Sequence, residues 1–487
     1  MLLLNVSLVF SQTQILINDE VVRKNLTTDF FIFEDKSAVL TIDDITSGRF
    51  DHFFEVNAQV PPNKGYLKSA FWLKLNIKTE ELHNFTRYLE IDYPLLDFVT
   101  CFVQSDSGKW DKKTIGDRVP FNEREIPHRN LIFRLHLKEN SMQTVYLHIR
   151  SEGSLNFPIT IWKPETFQSY NLEAQMVLGI YYGITIALIL FNLLLFFSIR
   201  DLNYFYYVLY ITTYMLLQLS LNGFAFEYLW PESTNWTNLA TPLLIGASLF
   251  TVLLFSDSFL HVEDFSIGFS RFLSGLKFTS LFVAVMPFIF SYQFSVMISA
   301  ILALIVAPSV IISAILVNRR GYRPAKYFII AWTVLLVGIV LYALKNLGVV
   351  PVGFITNYGI QIGSVLEVIL LSLALADRIN LLQTELKKNE IEKKRILRER
   401  YTLARQISVG ILHRMRQPLQ ILKGYIELLK LSDRSIERDK EGYLNQILES
   451  IDRIDVHLKD LEKIQATDHF ETVEYTKDES MVDLKGK

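Results

Sequence analysis

Charged residues are distributed along this chain in a way that one water-soluble domain does not produce. Residues 172–376 carry 16 charged side chains in 205 positions, whereas residues 377–487 carry 43 in 111. Within the charge-poor segment, runs without Asp, Glu, Lys or Arg cover 174–199, 202–226, 237–256, 278–318, 327–344 and 346–366. A helix needs about 20 mostly apolar residues to cross a hydrocarbon core. The run 278–318 is too long for one crossing, and Pro287 with Ser291-Tyr292-Gln293 offers a turn near its middle. The pattern predicts seven helices, near 174–199, 204–228, 237–259, 271–290, 294–317, 326–347 and 355–376. A buried core helix explains any one such run. Seven in series within 205 residues point to a membrane domain over 174–376.

Loop charge gives the orientation. With the N-terminus outside, the inner loops and adjoining helix ends hold Arg200, Arg271, Arg319, Arg320, Arg323 and Lys326, and the outer turns hold only Lys345. This satisfies the positive-inside rule, and Trp230 and Trp236 flank an outer turn as interfacial aromatics do. The expected topology is N-out, C-in. Among polar residues inside the helices, Glu367 is a candidate for sensing a proton or pairing across helices. The plainer reading makes it part of a buried structural pair. Charged residues do not recur along the helices at regular intervals, which gives a channel or pump little support. A net charge of −2 gives no support to a basic nucleic-acid binder, and one cysteine, Cys101, excludes a multi-cysteine metal site. No metal site is expected.

Outside the membrane segment, residues 1–11 form a short apolar stretch ending at Ser11 without a basic leader, so 1–14 read as a signal peptide whose start lies further upstream. Residues 15–170 show short alternating runs at Ala38–Ile42, Ala70–Ile77, Tyr88–Ile91, Phe98–Val103, Leu131–Leu137 and Thr144–Ile149. Turn signals at Pro61-Pro62-Asn63-Lys64-Gly65, Ser105–Gly108 and Glu152-Gly153 separate them. This spacing predicts a β-sandwich or jelly roll. Trp72, Trp110 and Trp162 are candidates to stack on a sugar ring, with core or rim packing as the alternative. His128-Arg129 is a candidate anion-binding pair, against the plainer reading of solvated polar residues.

On the far side of the membrane, Ile379, Leu382, Leu386 and Ile396 sit at coiled-coil spacing, with Asn389 and Lys393 at core positions between them. The excess of Lys and Arg across 387–400 suits either anionic lipid or a solvated coiled-coil face. Residues 377–402 read as a signalling linker. Leu403, Ile407, Ile411, Met415, Leu419, Leu422, Ile426 and Leu429 then recur every three or four residues, and Tyr443 through Ile464 repeat the pattern after a polar turn. Residues 403–467 therefore predict an αα-hairpin, with a polar tail over 468–487. A lone hairpin cannot cover its apolar stripe, so a homodimeric four-helix bundle is expected. His413 lies on its first helix, with Arg416, Gln417 and Gln420 on the same face and Pro418 predicted to kink the helix just beyond. An exposed imidazole there is a candidate phosphoryl acceptor.

These residues resemble the dimerisation and phosphoacceptor domain of bacterial sensor histidine kinases. In the stretch Ser408–Leu429, His413 matches the phosphoacceptor, Pro418 the kink and Leu419 the core residue of a His-Glu-x-x-Asn-Pro-Leu box. Two positions depart from it. Arg414 stands where the family carries an acid, and Gln417 stands where Asn or Thr orients water or the phosphoryl group. The rest of the chain resembles bacterial seven-transmembrane receptors with diverse intracellular signalling modules. That likeness rests on Phe71-Trp72-Leu73, Leu89 through Asp97, Pro127-His128-Arg129-Asn130, Arg150 through Ser154, Ile161-Trp162, Arg200 through Tyr204 and Leu371 through Arg378.

The resemblances imply a dimeric receptor in a bacterial inner membrane, with an extracellular ligand for which carbohydrate is one class. A response regulator and a separate histidine kinase would be its partners, with membrane lipid around it and no nucleic acid. Only about 20 residues follow Thr467, too few for an ATP-binding domain, so no cofactor is expected on this chain. The competing reading is a sensor histidine kinase whose ATP-binding part is truncated or separately encoded. A third is a non-catalytic receptor scaffold.

Overall fold

The computed structural model describes residues 14–58, 62–346, 349–350, 353–430 and 440–466. The apolar leader, the hairpin turn 431–439 and the polar tail lie outside the described residues. Two compact units divide the chain, residues 1–377 and residues 378–487.

The first unit begins as a two-sheet sandwich. One sheet orders β4 (Glu55–Val56), β3 (Phe31–Asp35), β5 (Ala70–Thr79), β10 (Met142–Arg150), β7 (Phe98–Gln104) and β8 (Trp110–Ile115), and β1 (Gln14–Ile17) pairs in parallel with β5. The other orders β2 (Arg23–Asn25), β11 (Ile159–Trp162), β6 (Phe85–Ile91) and β9 (Leu131–Leu137). Strand alternation builds the core between them. Phe71, Leu73, Leu75 and Ile77 of β5 point inward against Leu89, Ile91, Phe133 and Ile161, while Trp72 and Lys74 take the opposite face. Cys101 is buried in this core, and burial pushes its thiol up to about 12, so it is an inert packing residue.

One expected strand is absent. In the run Ala38–Ile42, Ala38 adopts a positive φ of 53°, and Thr41 caps the short helix α1 (Ile42–Thr46). The Thr41 hydroxyl accepts from the Asp44 N–H at 3.4 Å, and the Asp44 carboxylate accepts from the Thr41 N–H at 2.8 Å. This reciprocal capping outweighs the strand preference of Val39 and Ile42.

Helices follow in series: α2 (Pro164–Ile199), α3 (Leu202–Leu221), α4 (Thr234–Leu260), α5 (Val262–Phe265), α6 (Ile267–Val285), α7 (Tyr292–Arg319), α8 (Ala325–Asn346), α9 (Phe354–Asn357) and α10 (Gly359–Lys430). Of the seven long ones among the described residues, six are apolar enough to cross a membrane by length and composition. The other, α3, is diluted by Tyr204, Tyr206, Tyr207, Tyr210 and Tyr214. The long apolar run breaks at a 3-10 turn, Met286–Phe288, around Pro287. Helix α3 stops at Leu221, seven residues short of the expected 228, because Gly223 turns the chain at φ +80° directly against the sandwich. A Cβ there would lie 2.8 Å from the Pro94 side chain and 3.0 Å from the Arg129 carbonyl. Between α4 and α6 the backbones are equally close. A Cβ on Gly246 would fall 2.5 Å from the Ala284 nitrogen.

The second unit holds the remainder of α10 and α11 (Lys440–Ala466). The rings of Tyr425 and Tyr443, one from each helix, lie 5.6 Å apart.

Candidate functional site

The sandwich and the helices after it are joined first by the chain path. Strand β11 ends at Trp162, and after Lys163 the chain enters α2 with Pro164 in the first turn, where a missing N–H costs nothing. At about 1.5 Å per residue, 36 residues span roughly 54 Å, well beyond a hydrocarbon core of about 30 Å. The surplus is the segment 164–173, which lies on the sandwich. Phe167 and Tyr170 pack with Tyr88, Ile132 and Trp162 on the outer face of the four-stranded sheet. Tyr170 stacks on Trp162 at 4.8 Å, and the Arg23 guanidinium lies 4.5 Å from the Trp162 ring centroid.

Under this aromatic layer runs a buried polar chain. Trp162 Nε1 donates to Glu90 Oε2 at 2.8 Å. Asn130 Nδ2 donates to Glu90 Oε1 at 2.8 Å and to Asp92 Oδ1 at 2.7 Å, bridging two like charges. Burial, with Asp92 adding to it, pushes the Glu90 carboxyl up to about 7. The Asn130 N–H donates to His128 Nδ1 at 3.0 Å, which leaves the proton on Nε2, and Nε2 bonds Asn171 Oδ1 of α2 at 2.9 Å. Both ring nitrogens are thus engaged within the protein. Burial draws His128 down to about 4, against the opposing hydrogen bond from Asn171, and keeps it neutral. Arg129 reaches the other way, donating from Nη1 to the Asn222 carbonyl at 3.4 Å with its guanidinium 5.7 Å from the Phe224 ring. The pair read from sequence as an anion site therefore links the sandwich to α2 and to the α3–α4 turn.

A second contact lies on the α4 side. The Phe121 N–H donates to the Pro231 carbonyl at 2.9 Å, and Asn122 bonds Glu232. Asp117 is buried beside Asn238 of α4, whose Nδ2 donates to its Oδ1 at 3.4 Å. Burial, and then Asp97, push the Asp117 carboxyl up to about 8. Arg124 holds the loop between β8 and β9 by donating to the carbonyls of His128, at 2.6 Å, and Gly116, at 3.3 Å.

Within the helical bundle, Glu367 of α10 is fully buried and accepts from the Tyr210 hydroxyl of α3 at 2.8 Å, while its Oε2 has no partner among the described residues. Tyr207 bonds the Val368 carbonyl and Ser372, Asn192 of α2 donates to Ser372 at 3.2 Å, and Ser364 donates to the Tyr181 hydroxyl of α2 at 3.3 Å. The first and last membrane helices are thus joined by polar contacts. Asp257 of α4 forms an ion pair with Lys277 of α6 at 2.7 Å.

In the second unit, His413 and Gln417 are exposed one helical turn apart on α10, and Pro418 is buried without interrupting the helix. The other sequence-chosen residue, Trp72, is 1% exposed on the outer face of the seven-stranded sheet, stacked on Phe102 at 5.6 Å and on His148 at 4.5 Å. It packs with Ile45, Phe102 and Tyr146, whereas His128 and Arg129 lie at the membrane junction, so the three do not converge. Sequence reading missed Glu90, Asn130, Asn171 and Asp117. Glu90 and Trp162 are 72 residues apart and share no local pattern.

Residues 174–378 match the family model described as 7TM diverse intracellular signalling. Residues 27–163 match the one described as 7TMR-DISM extracellular 2. No curated protein matches the chain. The sandwich is thus an extracellular domain, and the helices after it are a membrane signalling domain of seven spans. The chain is a multi-pass transmembrane signalling receptor with a β-rich extracellular domain.

Proposed function

We propose that this receptor is of two-component type: a homodimer in a bacterial inner membrane, N-terminus outside, that passes an extracellular signal to a histidine-kinase-like hairpin. The hairpin exchanges a phosphoryl group with a response-regulator aspartate, and a separate kinase supplies the phosphate. His413 is the acceptor, Gln417 orients the phosphoryl group or water, and Pro418 shapes the helix beside them. An extracellular ligand, with carbohydrate as one class, acts on the sandwich. The His128–Asn171 and Trp162–Tyr170 contacts carry its effect to α2, and the Asn192–Ser372 and Tyr181–Ser364 contacts carry it to α10.

The observation that carries this reading is the exposed His413 one turn from Gln417 on a helix that leaves several of its apolar residues uncovered. Leu412, Leu419 and Ile426 are all exposed, as are Leu444, Leu448 and Ile451 on α11. A second copy would bury them. Arg414 favours a second reading, in which the hairpin docks a regulator or pairs with a complete kinase without chemistry of its own.

The test is phosphotransfer to the full chain in membranes from phosphorylated candidate kinases and regulators. The phosphotransfer reading expects acid-labile label on the wild type and none on His413→Ala, with signalling lost. Signalling that survives His413→Ala unchanged rejects phosphotransfer in favour of docking.

A further inference from the structure

Helix α10 runs without a break from Gly359 to Lys430. Along 379–407 two sets of seam positions recur every seven residues. The a set holds Ile379, Leu386, Lys393, Arg400 and Ile407, and the d set holds Leu382, Asn389, Ile396 and Leu403. Leu382, Leu386, Ile396 and Leu403 are 41%, 67%, 44% and 47% exposed, so much of this stripe is uncovered among the described residues. Lys393 and Arg400 interrupt it as two successive basic layers. Both are exposed, and among the described residues neither makes an ion pair or a hydrogen bond.

The g position before each basic layer holds an acid. Glu392 precedes Lys393, and Glu399 precedes Arg400. Within one chain both acids lean on Arg395, Glu392 at 3.8 Å and Glu399 at 3.2 Å. These are exposed pairs at i,i+3 and i,i+4 spacing, which are weak and readily yield to another partner. In a parallel, in-register pair of helices, an a side chain enters a hole whose walls include the facing helix's preceding g residue. There Lys393 meets Glu392 of the second copy, and Arg400 meets its Glu399. The e positions that would otherwise face these acids are Leu397 and Ala404, which carry no charge.

Other alignments lose this match. An antiparallel pair sets g against g, acid beside acid. A slip of one heptad leaves one Arg400 beside Gln406 and sets each Asn389 against Leu382 or Ile396, whereas the in-register pair lets the two Asn389 amides meet each other.

We infer that residues 379–407 bind the same segment of a second copy in parallel and in register, with Lys393 and Arg400 as core cations neutralised by Glu392 and Glu399 of that copy. This pairing rests on the homodimer proposed above and fixes how its two chains align.

The experiment uses the full chain in nanodiscs, with Cys101 left in place because it is buried in the sandwich. Ile396→Cys lies in the seam between the basic layers, and Ile391→Cys lies on the opposite face. Mild oxidation should join two chains through position 396, and at least about fivefold less through 391. Glu392→Lys with Glu399→Lys makes both layers wholly positive and should lower cross-linking at 396 by roughly fivefold or more. Co-expression of that protein with a differently tagged Lys393→Glu, Arg400→Glu copy, both carrying Ile396→Cys, should restore cross-links between the two tags. Cross-linking at 396 that survives the acid reversal, equal yields at 391 and 396, or no cross-link between the tags would overturn the assignment. Dimers seen by native mass spectrometry without a cross-link at 396 would overturn it and leave the homodimer standing, whereas monomers throughout would remove both.

Discussion

Replacing Asp117 with Asn tests whether the extracellular domain rests on α4 through a neutral carboxyl. Asp117 is 2% exposed, and its pKa is pushed from 3.8 to about 8, first by burial and then by Asp97. The folded state thus holds this proton more tightly than the unfolded chain does. The associated stability is complete below about pH 4 and is lost as pH rises toward 8. A shift of about four units at 1.36 kcal/mol each sets an upper bound of roughly 5–6 kcal/mol. The slope is close to its limit of about 1.4 kcal/mol per unit at pH 6 and falls to half of it at pH 8, so about 2 kcal/mol disappears over that interval. In Asp117→Asn the amide oxygen still accepts from Asn238 Nδ2, and no proton is needed. The assay is the thermal midpoint of wild type and variant in the same nanodiscs from pH 5 to 9. Since about 1 kcal/mol moves the midpoint of a domain this size by roughly 2–4 °C, the wild type should fall several degrees behind the variant between pH 6 and 8. Above pH 9 the gap should stop growing. The difference curve isolates Asp117 from Glu90, which titrates over a neighbouring range in both proteins. Parallel curves across pH 5–8 would refute the argument.

Acid should act on the α2 contact through His128. Its pKa is drawn down to about 4 from an unfolded value near 6.5, so stability present above pH 6.5 is lost as pH falls toward 4, by at most ~3 kcal/mol. Hydrogen exchange at 164–173 should therefore quicken in that window in the wild type, and a His128→Leu protein that exchanges with the same pH profile would contradict this. Gly246→Val should destabilise the helical bundle by about 1–3 kcal/mol or prevent its assembly. Its Cβ would lie 2.5 Å from the backbone nitrogen of Ala284, which cannot rotate away, and an unshifted midpoint in detergent would disprove that contact.

Much of the architecture was legible because it rests on solvent class. Long charge-free runs have one stable environment, so the membrane helices and the break at Pro287 followed from composition and reach. Alternation in Ala70–Ile77 and Leu131–Leu137 marked strands for the same reason. Ala38–Ile42 failed because capping by Thr41 and Asp44 is decided by four residues, too few for a period to register. The ion pair of Asp257 with Lys277 joins two different helices, and finding it needed knowledge of which helix faces which.

By itself, then, the sequence determined which segments enter lipid, which make sheets, and where an exposed histidine sits on an amphipathic helix, since all of these depend on the local order of apolar and polar residues. Only the tertiary structure decided what Trp72, His128, Arg129 and Glu367 touch. Trp72 sits under an aromatic layer, His128 spends both nitrogens on Asn130 and Asn171, and Glu367 meets a tyrosine 157 residues away in the chain. Hydrogen bonds and buried charges take their partners from whatever folding brings within about 3 Å, and no one-dimensional pattern encodes that distance.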